Sequence, residues 1–519
     1  MAQDFSHAAD PTAPAATGRG EHFSTDRLKA NLGARTARGG AVTFASQGFK
    51  FAAGMAATVV LARLLRPEDY GLVGMVAVVT GFVTMFKDLG LSAATVQREE
   101  VTHEQVSTLF WVNVALSLGV GILTALAAPL VAWFYGEPRL AAVTLAYCAG
   151  FLFGGLTVQH EALLRRQMRF GALALSEILA LLASITATVV LAWRGWGYWA
   201  LVAGHLSLSL VYMACVWVAC GWRPGRPSRG AGVRSMLAFG GNFTGFSVVN
   251  YFARNLDNLL IGRFWGSQQL GLYAKAYQLL LLPIDQINSP VTTVAVPALS
   301  RLNDSPERYR RVYLRIMEKV AMLTMPAVAL MISVSDWVVL VVLGPQWAEA
   351  GRIFAVLGVA ALLQPVNNTT GWLFITQGRT RDMFRWGLLG GSIIIASIVA
   401  GLPWGALGVA TSYSLTFVCV VTPLLYRFVG RAGPVRAADF YRAAAPSFLA
   451  ALAVLASLAV FRSRVEVASP LVGIAAASVI ALVASLAVLC ALPSGRRALG
   501  DVREVAAAVL KRRDADLAS

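Results

Sequence analysis

Charge is scarce in this 519-residue chain: 14% of its residues are Asp, Glu, Lys or Arg, against about 25% in an average soluble domain. With 57% hydrophobic residues and a mean hydropathy of +0.63, that scarcity excludes large soluble domains and points to a membrane. The charge present leans one way, 44 Lys and Arg against 27 Asp and Glu, a net of +17. In a soluble protein such an excess favours nucleic acid; in a membrane chain it is what cytoplasmic loops carry, so no nucleic-acid partner is expected. Cysteine is rare. Cys148, Cys215, Cys220, Cys419 and Cys490 lie in or beside apolar runs, and no CxxC or Cys/His cluster occurs. A disulfide framework and a zinc site are therefore unsupported, and these residues read as small packing groups. There is no GxxxxGK[ST], no HExxH and no nucleophile motif, and the one Asp-x-Asp string, Asp514 and Asp516, lies in the last residues. Neither enzymatic activity nor a cofactor is expected.

What the chain does have is long apolar runs. Fourteen are discernible, near 40–62, 70–86, 106–134, 140–159, 172–193, 197–219, 236–261, 270–297, 318–343, 352–375, 386–402, 404–426, 443–461 and 468–492. Each is close to the ~20 residues that span a bilayer as a helix, so the expected fold is an all-α polytopic membrane protein. Residues 1–38, rich in Ala, Gly, Thr and Pro, read as a disordered tail, and no signal peptide is expected there. Residues 493–519 read as a basic surface helix, with Val502, Val505, Val509 and Leu510 on one face. An even number of spans puts both termini on one side. The loops after the second, fourth, sixth, eighth, tenth and twelfth spans, span edges included, carry 22 Lys and Arg, against 8 in the alternate set. The tails add 11, so both termini and the richer set are expected in the cytoplasm. Three cations remain inside spans: Lys50, Arg254 and Lys275.

Self-comparison shows a repeat. VLARLLRPEDYGL at 60–72 and LIGRFWGSQQLGL at 260–272 pair Arg63 with Arg263, Gly71 with Gly271 and Leu72 with Leu272, each 200 residues apart. Both copies stand between the first and second spans of a half. WFYGEP around Gly136 and VVLGPQ around Gly344 stand between the third and fourth. The organisation is thus a six-helix lobe at 39–220, a basic linker at 221–235, a second six-helix lobe at 236–428 and two additional helices within 429–492. Six is even, so the lobes enter the membrane in the same direction. In such parallel repeats the substrate site lies between the halves.

An ionisable side chain within hydrocarbon normally faces a cavity or a partner. Lys50, beside Gln47 in the first span, aligns with Asn250 of the seventh. Asn250, Arg254, Asp257 and Asn258 share one helical face, and Asn242 lies two turns earlier. They read either as a polar strip lining a cavity, with Lys50 and Arg254 attracting an anion, or as an Arg254–Asp257 pair that joins helices. Lys275 in the eighth span either joins this strip or snorkels to the interface. That span also holds Asp285, Gln286 and Asn288, with Pro283, Pro290 and Pro297 on one face, as a hinge or a static bend. Gln364, Asn367, Asn368, Thr369 and Thr370 of the tenth span suit either a sugar ligand or interhelical hydrogen bonds. Glu177 and His205 are a possible proton-coupling or structural pair.

Four stretches resemble a known family: LARLLRPEDYGLVGM at 61–75, FKDLGLSAATVQRE at 86–99, LLRRQMRF at 163–170 and GLYAKAYQLLLLPIDQINSPVTTVAVPALSRL at 271–302. They are similar to bacterial polysaccharide transporters, in particular to Wzx-like lipid-linked oligosaccharide flippases, whose superfamily also holds multidrug antiporters and the lipid II flippase. The resemblance runs over about 40–430. It implies a V-shaped, two-lobed bundle in the bacterial inner membrane that moves undecaprenyl-diphosphate-linked repeat units to the periplasmic leaflet. The candidate substrate-binding set is Lys50, Arg254, Asn250, Asp257, Asn258, Gln47 and Lys275, with no metal. The lipid-linked oligosaccharide and the membrane are the implied partners, with a polysaccharide polymerase and export machinery as further candidates. A lipid II flippase, a multidrug antiporter and a non-transporting membrane scaffold are the alternatives. Two interior cations argue against an exporter of cations.

Overall fold

The computed structural model describes residues 32–84, 101–228 and 234–493, with single positions at 92, 95, 96, 98, 495–497 and 500. Side chains are described from 39 onward, apart from 41, 83–84, 234–250, 252 and 253. The basic stretch at 501–519 and the tail before 32 lie outside the described residues. Among the described residues the chain is all-helical. In chain order the helices are α1 Leu32–Leu64, α2 Pro67–Thr84, α3 His103–Tyr135, α4 Arg139–Arg166, α5 Phe170–Trp193 and α6 Tyr198–Cys220. One run, Arg234–Ser300, is broken by non-helical backbone at Gly266 (φ 78°) into α7 (234–265) and α8 (267–300). Then come α9 Pro306–Ser333, the short α10 Ser335–Val342, α11 Ala348–Thr376 and α12 Thr380–Gly401. α13 (405–429) includes a π-helical turn at Phe417–Val421, and α14 Ala437–Arg464 and α15 Pro470–Ala491 follow.

Eleven stretches among the described residues are long and apolar enough to cross a membrane. Two of them, Arg254–Ser300 and Thr380–Val429, each hold two helices in line. With those divided and the 18-residue α2 included, all fourteen expected spans have a helical counterpart. Local chemistry sets the starts. Thr102 and Gln105 cap α3 reciprocally, Gln105 N–H to Thr102 Oγ1 at 3.3 Å and Thr102 N–H to Gln105 Oε1 at 3.1 Å. Pro67 opens α2, with Glu68 and Asp69 in its first turn, and the Asp69 carboxylate accepts the Arg66 N–H at 2.9 Å. The prolines of the eighth span do not break it: α8 is helical through Pro283, Pro290 and Pro297, and all three lie on its exposed face.

The chain forms two compact units. The first comprises 1–57, 79–133 and 137–248. Here α5 and α6 pack closely because Gly204 leaves room for Thr188, whose Oγ1 would stand 1.9 Å from a Cβ at 204. At one end Val106, Phe110, Leu163, Leu164, Val216 and Trp222 form a buried cluster. His160 stacks on Trp217 at 4.2 Å, and the Trp222 indole donates to His103 Nδ1 at 3.1 Å.

The second unit comprises 58–78, 134–136 and 249–519. It contains the joints of both repeats. A Cβ on Gly71 would lie 1.7 Å from the Ser267 carbonyl oxygen, and one on Gly271 would lie 1.8 Å from that of Pro67. Positions 67 and 71 are the repeat partners of 267 and 271, so the contact is reciprocal, as across a two-fold axis. The third-to-fourth joints exchange in the same way. Trp347 Nε1 donates to the Ala62 carbonyl at 2.8 Å, and Arg63 donates to Val341 at 3.0 Å. In the other copy, Arg263 lies 5.8 Å from the Phe134 ring. Gly136 (φ 68°) and Gly344 (φ 102°) both have positive φ, a conformation that glycine adopts without strain. These exchanges explain why the ends of α1, α2 and α3 group with the second unit.

The two additional helices also dock on the second unit. The Arg310 guanidinium of α9 forks onto Asp439 of α14, with Nε at 2.9 Å. The Tyr426 and Phe440 rings stack at 4.6 Å, and Arg462 of α14 holds Asp336 at 2.6 and 2.9 Å.

The reciprocal crossing makes a symmetrical prediction. Gly71→Val and Gly271→Val should each cost about 3 kcal/mol or more through backbone overlap. Gly74→Ala, whose Cβ would meet Leu270 at an ordinary 3.6 Å, should be neutral or slightly stabilising. Thermal melts of the purified variants in one detergent check all three.

Candidate functional site

The charged and polar groups of the spans fall into two sets, one in each unit. In the first unit, Lys50 lies three turns from the described start of α1's side chains, and its ammonium contacts the Glu177 carboxylate of α5. Both are partly accessible, at 21% and 35%. Gln47, one turn before Lys50, is exposed. On α4, the Arg165 guanidinium donates twice to Glu161 Oε1, at 3.0 and 2.6 Å. Tyr212 of α6 donates its hydroxyl to Glu161 and lies within electrostatic reach of Glu177, as does Arg165. Two cations, two carboxylates and a phenol thus form one cluster drawn from α1, α4, α5 and α6. The His205 ring lies instead on Tyr147, stacked at 4.5 Å.

The second unit holds a phenol-rich set on α7, α8, α11 and α13. Asp257 accepts the Tyr273 hydroxyl at 2.9 Å and the Asn258 backbone N–H at 2.8 Å. Asn258 Oδ1 is buried with no hydrogen-bond partner among the described residues. Tyr277 shares hydrogen bonds with Tyr413 and Gln364. Arg254 is exposed on α7, within electrostatic reach of Tyr277, Tyr413 and Asp285. Asn250 lies on the same helix, its side chain and that of Asn242 outside the described residues. Lys275 stands apart from this set: its ammonium sits 4.1 Å from the centre of the Tyr70 ring and donates to Gln278 at 3.0 Å, at the joint of the repeats.

Asn367 and Thr369 of α11 make interhelical bonds, whereas Asn368 is exposed. Asn367 donates to Thr422 at 2.7 Å, Thr369 pairs with the Tyr313 hydroxyl at 2.8 Å, and both are buried. Sequence reasoning brought forward Lys50, Arg254 and Asp257 but missed the groups around them. Arg165 was counted as a loop cation because hydropathy ends the fourth span near 159, whereas α4 continues to Arg166. Glu161 was lost for the same reason. Tyr212, Tyr273, Tyr277 and Tyr413 carry no charge and left no signal in a search for ionisable groups.

A family model for polysaccharide biosynthesis proteins matches residues 60–352. The chain belongs to that family. It is 28% identical over 383 residues to the lipopolysaccharide biosynthesis protein WzxC of Escherichia coli, covering 72% of this chain and 77% of that one. It is 28% identical to the teichuronic acid biosynthesis protein TuaB of Bacillus subtilis, over 67% of this chain and 73% of the other. The succinoglycan biosynthesis transport protein ExoT of Rhizobium meliloti is 24% identical over 70% of this chain and 72% of its own. Among solved structures the chain is similar to the lipid II flippase MurJ in an inward closed conformation, with a TM-score of 0.68 at 14% identity, covering 85% of this chain and 96% of that one. A multidrug transporter of the MATE family, inward-facing, gives 0.53 at 15% identity, over 79% and 95%. At these identities the likeness is one of fold.

In this polysaccharide biosynthesis protein some of the stretches shared with the family are structural. Buried Arg166 of LLRRQMRF donates to the carbonyl oxygens of Thr95, at 3.2 Å, and Arg98. Gln159 joins Thr95 at 2.8 Å to Asn113 at 2.9 Å. These bonds tie Thr95 and Arg98 to α4, and through Gln159 to α3.

Within the phenol-rich set, Tyr273→Phe removes the side-chain donor of Asp257 and should cost about 1–3 kcal/mol. Gln47→Ala, at an exposed position, should leave stability within ~0.5 kcal/mol. A lowered melting temperature for the first and an unchanged one for the second is the expected reading.

Proposed function

We propose that this protein is a flippase that carries undecaprenyl-diphosphate-linked oligosaccharide repeat units across the bacterial inner membrane for surface or exopolysaccharide synthesis. The observation that carries this reading is the pair of cations, Lys50 and Arg254, on the first helix of each repeat in a member of the polysaccharide biosynthesis family. A diphosphate head group is a ligand that ammonium and guanidinium groups hold through charge-assisted hydrogen bonds. Relatives named for lipopolysaccharide, teichuronic acid and succinoglycan synthesis support a glycan cargo.

In this mechanism Lys50 of the first unit and Arg254 of the second are each a cation available to the anionic head group in the cytoplasmic leaflet, with Gln47 beside the one and Asn250, Asp257 and Asn258 beside the other. The polyprenyl chain stays in lipid, and alternating access exposes these cations to the two sides in turn. A membrane potential that is negative inside favours outward movement of an anion by about 2.3 kcal/mol per charge per 100 mV. The cation bias of the loops supports cytoplasmic termini. Lys275, on Tyr70, serves the joint of the repeats, and its removal falls on stability before transport.

The test is genetic and chemical. A strain lacking this gene should accumulate completed undecaprenyl-diphosphate oligosaccharides, read by mass spectrometry of its lipids, and should lose the corresponding surface glycan. A plasmid copy should reverse both. Lys50→Ala and Arg254→Ala should each fail to reverse them by tenfold or more while reaching wild-type levels in the membrane. Normal complementation by both variants overturns the cationic site. Accumulation of lipid II in place of a glycan intermediate identifies a lipid II flippase, and loss of drug resistance alone identifies an exporter.

A further inference from the structure

The Lys50–Glu177 pair points to a role for a carboxylate that the proposed function leaves unused. We infer that Glu177 is the resident counter-anion of Lys50: it occupies the ammonium group in the empty protein, is displaced by the diphosphate on binding, and returns when the head group leaves. The inference rests on the flippase reading above.

Three observations carry it. First, the ammonium that would hold an anionic head group already holds an anion of the protein, Glu177. An anionic substrate therefore binds Lys50 by exchange and not by filling a vacant site. Second, the pair is partly accessible, at 21% and 35%, which a sealed interhelical bond such as Asn367–Thr422 is not. Third, Arg165 and Tyr212 are within electrostatic reach of Glu177, so the charge of the displaced carboxylate is not left uncompensated.

The chemistry of the two anions makes the exchange workable. A diphosphate offers more charge and more acceptor oxygens than one carboxylate, so it displaces Glu177. The carboxylate in turn lowers the net affinity and so hastens release, because every departing head group is replaced at once. It also leaves the cluster of Lys50, Arg165, Glu161 and Glu177 neutral when empty, so the return of the unloaded protein moves no uncompensated charge of this cluster through the membrane field. A tight site without Glu177 would bind well and turn over poorly.

The test compares affinity with turnover, because a purely structural pair would move neither in opposite directions. Full-length protein in nanodiscs is titrated with undecaprenyl diphosphate, with inorganic pyrophosphate as competitor, and the same variants are scored for glycan export in cells. Glu177→Gln should bind the lipid about ten- to a hundredfold more tightly, the size of a competing charged hydrogen bond, while export falls severalfold at an unchanged protein level. Glu177→Asp, which keeps the carboxylate one methylene shorter, should fall between wild type and Gln on both scales. Lys50→Gln should bind weakly, and adding Glu177→Gln to it should bring no tightening. Equal or weaker lipid binding by Glu177→Gln, or tightening that persists without Lys50, overturns the exchange while the flippase reading stands. Failure of wild type and Glu177→Gln alike to bind undecaprenyl diphosphate overturns both.

Discussion

No water is available inside a bilayer to solvate a charge, so every ionisable group on a spanning helix must find its compensation in the protein or in a cavity. The arrangement of this chain follows from that constraint. In the first unit two cations meet two carboxylates and a phenol. In the second, Asp257 is held by a tyrosine hydroxyl and a backbone N–H, and Lys275 lies over an aromatic face. Arg254 differs: among the described residues it is exposed and meets its neighbours at electrostatic range. The contrast between groups held by direct contact and this guanidinium is what makes the α7 face a candidate for receiving a ligand.

The repeat supplies the scaffold on which those groups stand. The matched joints face each other reciprocally, Gly71 on Ser267 and Gly271 on Pro67, as a segment faces its own copy at a two-fold axis. Two backbones can approach there only if neither carries a side chain, which is why Gly71 and Gly271 occupy matched positions. The chemistry above that scaffold has diverged. Lys50 aligns with Asn250, and the set of groups in the first unit is mainly charged where that in the second is rich in phenols. The additional helix α14 joins the second unit through Asp439, Phe440 and Arg462.

Much of this was legible in the linear chain because hydrophobicity and turn chemistry are local. All fourteen spans, the break between the seventh and eighth and the repeat-matched glycines follow from apolar runs interrupted by Gly, Pro and charge. Less legible was where a helix ends once its residues turn polar. α4 runs past the apolar stretch to Arg166 because its last turns are buried among Trp217, Trp222 and the carbonyls of Thr95 and Arg98, and hydropathy does not register that. The prolines of α8 were equally ambiguous: three in one span suggested a bend, yet they share the exposed face and the helix continues through them.

The sequence by itself determined that this is a polytopic helical membrane protein with a parallel repeat and cations within its spans, since these depend on composition, periodicity and spacing along the chain. Only the tertiary structure decided which anion each cation meets. Glu177 lies 127 residues from Lys50, and a sequence search had set it beside His205. Partnership between charges is governed by distance in space and by the dielectric around them, and neither is written in the order of residues until the helices have packed.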